Sequence, residues 1–162
     1  MTATTAATET SARLSYPRVA PGAYRAMAEL ERYVHGTGIE RQLLELVKLR
    51  ASQMNGCAYC LDMHSKDARA AGETEQRIYV LSAWREAPFY SARERAALAW
   101  TETVTQLPPH GISDDAYDAA RAEFSEQELV ELTMAIIAIN GWNRLQVAFR
   151  SAEPGSYVVK GT

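Results

Sequence analysis

The sequence predicts an all-α fold, and three observations support that prediction. Apolar residues recur at spacings of three and four through most of the 162 residues, which is the period of a helix buried on one face. Two segments open with a capping box, in which Ser91 lies three residues before Glu94 and Ser125 three residues before Glu128. No stretch shows a convincing strand-like alternation of apolar and polar residues.

Start and stop signals divide the chain into seven predicted helices. Pro21 lies near the first turn of the first helix, Asn55-Gly56 separates the second from the third, and Pro108-Pro109 end the fifth. Residues 134–139 are apolar on every side, so we expect the middle of the last helix to be buried all round. The predicted helices cover residues 21–34, 39–54, 57–71, 75–84, 91–106, 113–123 and 125–149.

The chain also contains a weak internal sequence repeat. Glu45-Leu46 precedes Asn55-Gly56, and Glu131-Leu132 precedes Asn140-Gly141 at a spacing that differs by one residue. This similarity gives weak support for a duplicated helix-turn-helix unit. Its second copy would carry Trp142 at the position of a cysteine in the first.

The composition fits one ordinary globular domain flanked by tails. The apolar fraction is 47% and the charged fraction 23%, and 162 residues are enough to bury a sizeable core. We expect a flexible N-terminal tail over residues 1–15, one helical domain over 16–150 and a C-terminal tail over 151–162. The C-terminal tail should be irregular apart from a short extended stretch at 157–159.

Charge and hydropathy argue against two classes of partner. The net charge is -3 and the arginines are scattered among acidic residues, so no nucleic-acid partner is expected. The longest apolar stretch, residues 132–139, is far too short to cross a bilayer, so no membrane partner is expected. Residues 1–12 lack the basic and apolar regions of a signal peptide, and we therefore expect a cytoplasmic protein.

The two cysteines of the chain, Cys57 and Cys60, lie three residues apart at the predicted start of a helix. A disulfide between them closes almost no loop and adds little stability, which indicates chemistry rather than scaffolding. The unpaired N–H groups and positive dipole end of a helix start favour the reactive thiolate. His64, four residues after Cys60, can take its proton or stabilise its thiolate. Asp62 and Asp67 point away from the sulfurs by their spacing.

Two other interpretations of the cysteine pair are open at this stage. A structural zinc site on Cys57, Cys60 and His64 would need a fourth ligand, and the chain has no further cysteine. The pair could also be buried and inert, because free cysteines pack as small apolar residues. A thioredoxin-like fold is disfavoured, since no βαβ pattern surrounds the motif.

A longer motif surrounds the cysteines and reads Glu45-x-x-Lys48-Leu49-x-x-Ser52-x-x-Asn55-Gly56-Cys57-x-Tyr59-Cys60-x-x-x-His64. In its spacing, its preceding Glu and its Asn-Gly turn, this motif resembles the alkylhydroperoxidase AhpD-like branch of the carboxymuconolactone decarboxylase family. The resemblance is densest over residues 43–72 and extends more loosely over 91–145.

The resemblance implies an all-helical, homo-oligomeric protein with thiol-dependent peroxidase activity. It assigns the attack on a hydroperoxide to Cys60, and to Cys57 the resolution of the resulting sulfenate as a disulfide. His64 and Glu45 match the proton-relay positions of the family, and an external dithiol or thiol protein would be the reductant. The best-known members carry a second His between the cysteines, where this chain has Tyr59. We expect no cofactor and no metal.

Helix geometry alone does not place Glu45 beside His64. If the two helices form an ideal hairpin at Asn55-Gly56, a rise of ~1.5 Å per residue puts Glu45 ~15 Å before the turn and His64 ~10 Å after it. Lys48 and Ser52 would then lie closer to His64 than Glu45 does. The assignment of Glu45 to the site therefore rests on the resemblance.

These features support one leading function and two alternatives. The leading function is a peroxidase whose cysteines cycle between dithiol and disulfide. Tyr59 motivates the first alternative, a disulfide reductase or electron-transfer adaptor that uses the same thiols. A redox sensor is the second alternative. We also expect a homo-oligomer, because paired helices of this apolar content leave apolar faces to cover.

Overall fold

The computed structural model describes residues 11–159, and its regular secondary structure over that range is entirely helical, as predicted. Residues 1–10 and 160–162 lie outside the described residues, and with them most of the predicted N-terminal tail. A short 3₁₀ turn at Leu81–Ala83 separates the fifth and sixth α-helices. The α-helices are α1 Tyr16–Val19, α2 Pro21–His35, α3 Arg41–Asn55, α4 Ala58–Ala70, α5 Glu75–Tyr79, α6 Ala92–Thr105, α7 Asp114–Arg121 and α8 Glu126–Phe149.

The helix starts follow the capping signals of the sequence. Both predicted capping boxes form, with Ser91 capping α6 and Ser125 capping α8. The prediction of one helix over residues 75–84 is wrong, because α5 ends at Tyr79 and the chain turns before the 3₁₀ segment. That turn carries Leu81 and Trp84 into the core, where both are buried. The short helix α1 was not predicted either.

The predicted duplication is wrong, because α8 runs without a break through Asn140 and Gly141. The Asn140 side chain donates 2.9 Å to the carbonyl oxygen of Ile136 in its own helix, so it does not start a turn. Gly141 instead allows close packing, since a Cβ there would lie 2.7 Å from the terminal methyl of Met27 on α2. The same dipeptide is therefore a turn after α3 and a helix contact in α8.

The central helix of the fold is α3, which packs against α4, α6 and α8. Residues 43–49 are all buried, including the charged side chains Glu45 and Lys48, which are 3% and 1% exposed. A charged group in the interior is stable only with a partner of opposite charge or hydrogen bonds. The partners of these two side chains come from α4 and α2.

The apolar middle of α8 is largely but not wholly buried. Ile137 is 47% exposed, so the prediction of burial all round is wrong at this position. Its neighbours Ala135, Ile136, Ala138 and Ile139 are buried against the other helices. Within residues 11–159, no helix combines the length and the hydropathy that a membrane span requires.

Both terminal segments are bound to helices where the structure describes them. The backbone N–H groups of Arg13 and Leu14 each donate 3.1 Å to the carbonyl oxygen of Phe149 at the end of α8. Residues 151–159 are irregular, and the extended stretch predicted at 157–159 is not a strand. This segment lies on α4, where Lys66 donates to the carbonyl oxygen of Tyr157 and Asp62 accepts from the N–H of Gly155.

Candidate active site

The cysteines lie where α3 turns into α4. Gly56 ends α3 with φ +65° and ψ +33°, a left-handed conformation that glycine adopts without steric cost. The N–H of Cys57 then donates 3.1 Å to the carbonyl oxygen of Ser52, which closes the Schellman arrangement typical of helix ends. Cys57 is extended and caps α4, so the Asn-Gly signal places this residue at the helix start.

Cys57 and Cys60 form a disulfide, with Cα atoms 5.3 Å apart. The Cys57 sulfur accepts from the backbone N–H of Cys60 at 3.4 Å, so it also serves as the N-cap of α4. Both residues are buried against Ala51 and Ile139. The structure is therefore the oxidised state of the pair, and the helix start would favour thiolate once the disulfide is reduced.

His64 and Glu45 meet in the interior between α4 and α3. Nδ1 of His64 lies 2.8 Å from Oε2 of Glu45, and the two side chains are 6% and 3% exposed. Burial raises the pKa of Glu45, but the hydrogen bond and charge of His64 and the charge of Lys48 outweigh it, so this pKa lies below its ordinary value. Glu45 is thus a carboxylate that only accepts, and Nδ1 of His64 is the donor.

The hairpin estimate, which placed Lys48 and Ser52 nearer to His64, is wrong. That estimate compared only positions along the helix axes. The axial distances of Glu45 and His64 from the turn differ by ~5 Å, and the side chains of Glu and His are long enough to span this difference. Ser52 instead accepts from Asn143 Nδ2 at 3.0 Å, and Lys48 turns toward α2. Because Glu45 is buried, it is not a solvated residue on the surface of α3.

Lys48 forms a second charge pair next to Glu45, and the carboxylate partner of its buried ammonium is 22% exposed. Its ammonium donates to the carboxylate of Glu31 on α2 and lies 3.5 Å from His35 Nε2. Burial raises the pKa of Glu31, but hydrogen bonds and charges from His35 and Lys48 lower it to about 2. Trp142 Nε1 donates to the same carboxylate at 3.1 Å. This pair keeps the Lys48 charge beside Glu45.

Asp67 and Tyr157 were not predicted as site residues. A carboxylate oxygen of Asp67 lies within 4.8 Å of ligand-type atoms of both Glu45 and His64. The Tyr157 hydroxyl donates 2.7 Å to Asp67, and burial followed by this hydrogen bond raises the pKa of Tyr157 to about 12. The spacing of three residues from His64 could have indicated Asp67. Tyr157 carries no such local signal, because it comes from the C-terminal segment.

Two sets of side chains near the disulfide have the chemistry of metal ligands. Glu45, His64 and Asp67 bring together three side chains of the kind that bind divalent cations. The hydrogen bond to Glu45 already occupies Nδ1 of His64. The zinc set considered from the sequence combined Cys57, Cys60 and His64, and in this state the two sulfurs are bonded to each other. A zinc site on these thiols would therefore require the reduced state.

A cavity of about 670 Å³ lies on the Cys57 side of the disulfide. It is bounded by residues 11–12, the start of α4, the end of α8 and the C-terminal segment, and neither Cys60 nor His64 lines it. Among residues 11–159, no hydrogen bond joins His64 to Cys60 in this oxidised state. The lining includes Cys57, Tyr59, Gln146, Arg150, Glu153 and Pro154.

Residues 21–103 match the model of the carboxymuconolactone decarboxylase family. The uncharacterized protein YdfG of Bacillus subtilis is 46% identical over 138 residues, which are 85% of this chain and 94% of YdfG. The crystal structure of ATU0492 from Agrobacterium tumefaciens is 47% identical and superposes with a TM-score of 0.85 over 89% of this chain and 99% of that one. ATU0492 is a protein of unknown function, provisionally described as an antioxidant defence protein AhpD.

A more distant structure has the same fold. The debrominase Bmp8, in a cysteine-to-alanine variant bound to 2,3,4-tribromopyrrole, superposes with a TM-score of 0.75 at 21% identity. The match covers 86% of this chain and 74% of Bmp8. At this identity the likeness concerns the fold alone, so the reaction has to be argued from the side chains of the site.

Proposed function

The chain belongs to the carboxymuconolactone decarboxylase family, in its AhpD-like branch, and on that premise we propose that it is a thiol-dependent peroxidase. The family and the cysteine pair support a peroxidase-related redox role. The finer proposal is that Cys60 and Cys57 reduce hydroperoxides in a dithiol–disulfide cycle. His64 and Glu45 form the proton relay of that cycle.

The observation that carries this proposal is the buried hydrogen bond between His64 and Glu45. Because Nδ1 donates to Glu45, Nε2 is the nitrogen of the neutral ring that can accept a proton. His64 follows Cys60 by one helical turn, so the two side chains share a face of α4, and the Cys60 thiol is the proton donor in the proposed cycle. The Glu45 carboxylate then stabilises the imidazolium that results.

The cycle balances in three steps. The Cys60 thiolate attacks one oxygen of the hydroperoxide, the O–O bond breaks, and the alkoxide takes the proton from His64 to leave as an alcohol. Cys60 is now a sulfenic acid, and the Cys57 thiol displaces its hydroxyl as water to form the disulfide. An external dithiol then returns two electrons by thiol–disulfide exchange.

Hydroperoxide consumption with an external dithiol tests the proposal. The wild-type protein should turn over, Cys60→Ser should show no turnover, and Cys57→Ser should react once and stop at the sulfenic acid. Because Cys60→Ser leaves Cys57 as the only thiol, this variant also measures the background reaction of a thiol other than Cys60. Turnover in Cys60→Ser at the wild-type rate would exclude the proposed assignment.

A disulfide reductase or electron-transfer adaptor is the second candidate. Two features of Cys57 favour this candidate. Its sulfur caps the start of α4, and the residue lines the cavity. In that case the thiols would exchange rapidly with a protein disulfide, while the oxidation by hydroperoxide would be no faster than that of a free thiol. A redox sensor would be oxidised without catalytic turnover. Both rate constants can be measured on the same reduced preparation.

We also propose that the protein is a homo-oligomer. Three apolar side chains of α8 are exposed, with Val130 at 61% and Ile137 and Val147 at 47% each. Val130 and Ile137 are seven residues apart and lie on the same side of α8, and apolar side chains exposed together on one side of a helix support a surface that another subunit covers.

A further inference from the structure

Two carboxylates lie beside the imidazole of His64, and only one of them is bonded to it. Glu45 accepts from Nδ1 at 2.8 Å. A carboxylate oxygen of Asp67 lies within 4.8 Å of a ring nitrogen of His64 and of a carboxylate oxygen of Glu45. Among residues 11–159, no ion pair joins Asp67 to His64, and the one hydrogen-bond partner of the Asp67 carboxylate is the Tyr157 hydroxyl at 2.7 Å. The C-terminal segment therefore holds a second acceptor that lies close to the ring.

We propose that Tyr157 is a positioning residue for His64. Its hydroxyl engages the Asp67 carboxylate and thereby keeps this second acceptor off the imidazole ring. Nδ1 of the ring then donates to Glu45, and Nε2 stays available to the Cys60 thiol. The inference rests on the proposed dithiol–disulfide cycle and adds a residue of the C-terminal segment to its proton relay.

A partly buried carboxylate that lacks its donor competes for the imidazole. Carboxylates away from bulk water need hydrogen bonds, and a charged acceptor binds an N–H more strongly than a neutral one. Without the Tyr157 hydroxyl, a ring N–H of His64 is a donor within reach of Asp67. Bonded at Nε2, Asp67 takes the nitrogen that serves Cys60. Bonded at Nδ1, it turns the ring away from Glu45, and either bond hinders proton transfer from the thiol.

The Tyr157 hydroxyl is suited to this role because it stays a donor at every pH at which the protein works. Burial, followed by the hydrogen bond and the charge of Asp67, raises the pKa of Tyr157 to about 12. The charge of Glu45 contributes to the same shift. The phenol is therefore protonated near neutral pH, and its one proton goes to Asp67.

Other bonds hold the segment that carries Tyr157 on α4. The N–H of Gly155 donates 3.0 Å to the Asp62 carboxylate. Lys66 donates 2.9 Å to the carbonyl oxygen of Tyr157, a backbone atom that Tyr157→Phe leaves in place. Tyr157→Phe therefore removes one hydrogen bond of the segment and keeps the others, so its effect can be traced to Asp67.

The rate of alkylation of Cys60 by iodoacetamide tests this role without hydroperoxide. It is measured on the Cys57→Ser protein, in which Cys60 is the only thiol and serine can still cap α4. Because only the thiolate reacts, we expect Tyr157→Phe to slow alkylation at pH 7 at least about fivefold. The difference should vanish at about pH 10, where a thiol is ionised without the help of a base. An equal rate in both proteins at pH 7 would overturn the inference.

A second substitution separates positioning from simple attachment of the segment. Adding Asp67→Ala to Tyr157→Phe removes the competing acceptor, so alkylation should become at least about threefold faster than in Tyr157→Phe alone. If the hydroxyl only fastens the segment, the double variant stays as slow as Tyr157→Phe, and the inference is wrong. Tyr90→Phe is the matched control, because the Tyr90 hydroxyl donates to the carbonyl oxygen of Arg77 in a different part of the core, and it should not slow alkylation.

Oxidation of the same variants by hydroperoxide separates this inference from the proposed function. If Cys60 reacts with hydroperoxide no faster than a free thiol, while alkylation shows the loss and the rescue, the peroxidase proposal fails and the inference stands. If oxidation is fast but alkylation does not depend on Tyr157, the inference is wrong and the peroxidase proposal stands. The same loss and rescue with both reagents would support both.

Discussion

The hydrogen bond between Glu45 and His64 determines which nitrogen of the ring is available to a thiol. The donor is Nδ1, so the proton acceptor of the neutral ring is Nε2. The hydrogen bond and charge of His64 and the charge of Lys48 lower the pKa of Glu45, so Glu45 keeps its negative charge to a lower pH than an ordinary glutamate does. In the proposed cycle, proton handling therefore involves side chains of α3 and α4 and the charge pair that joins α3 to α2.

Replacing Glu45 by Gln should slow the oxidation of Cys60. Gln can still accept a hydrogen bond from His64 but carries no charge, so the imidazolium formed during proton transfer loses its counter-ion. We expect the rate constant with hydroperoxide to fall at least about tenfold, as measured by stopped-flow on the reduced protein. Glu131→Gln is the matched control, because Glu131 is a buried glutamate that pairs with Gln127 on α8. Equal losses in both variants would contradict the assignment.

The charge pair of Glu31 and Lys48 predicts a loss of stability in acid. The pKa of Glu31 lies at about 2 in the folded state against an ordinary value of 4.5. Its contribution is therefore fully present above about pH 4.5 and is lost as the pH falls toward 2. Glu31→Gln should lower the free energy of unfolding at pH 7 by up to about 3 kcal/mol, and by less at pH 3. Urea titrations at both pH values measure this, and an equal difference at both would contradict it.

At the scale of helices, an amide network holds the end of α3 against α8. The Asn55 amide donates 2.9 Å to both Asn140 and Asn143, and the Asn143 amide donates 3.0 Å to the buried hydroxyl of Ser52. Ser52 also accepts the N–H of Cys57 through its carbonyl oxygen. The network therefore positions the turn that carries the cysteines.

Asn143→Ala should destabilise the protein, because it removes the buried partner of the Ser52 hydroxyl and one acceptor of Asn55. We expect the free energy of unfolding in urea to fall by about 1–3 kcal/mol. Gln76→Ala is the control, because Gln76 is an exposed amide side chain on α5 with no side-chain hydrogen bond among the described residues, and it should cost less than about 0.5 kcal/mol. Similar losses in the two variants would show that the network is not what holds the turn.

Local signals predicted the helices well, whereas contacts between helices were not predictable. The capping boxes and the turn at Asn55-Gly56 depend on neighbouring residues, and they form as expected. Asn140-Gly141 carries the same turn signal but lies inside α8, where Gly141 packs closely against Met27 of α2. Glu45 was assigned to the site from the family resemblance, because a geometry measured along the helix axes leaves out the reach of the side chains. Tyr157 could not be predicted, because a distant segment brings it to Asp67.

At the scale of the molecule, the fold places α3, α4 and α8 around the disulfide and leaves apolar side chains of α8 exposed. The sequence predicted an apolar middle for this helix but not the exposure of Ile137, which depends on how the neighbouring helices are arranged. The same fold at 21% identity carries a debrominase, so fold alone does not determine the reaction. The proposed peroxidase reaction therefore rests on the side chains around the disulfide.

The exposed face of α8 predicts self-association. Light scattering at micromolar concentration should give a mass of two or more subunits, and Ile137→Glu should shift it toward the monomer, because a charge is costly in an apolar contact. Leu107→Glu is the control, since Leu107 is 68% exposed in the loop after α6. A wild-type monomer under these conditions would contradict the oligomer.

The central claim is that Cys60 reacts with hydroperoxide after His64 has accepted its proton. Its most direct test is the rate constant for oxidation of reduced Cys57→Ser, in which Cys60 is the only thiol, with the sulfenic acid trapped by dimedone. We predict a rate constant well above that of a free thiol, the trapped adduct on Cys60, and a large loss when His64→Ala is added. A rate constant equal to that of a free thiol, unchanged by His64→Ala, would contradict it.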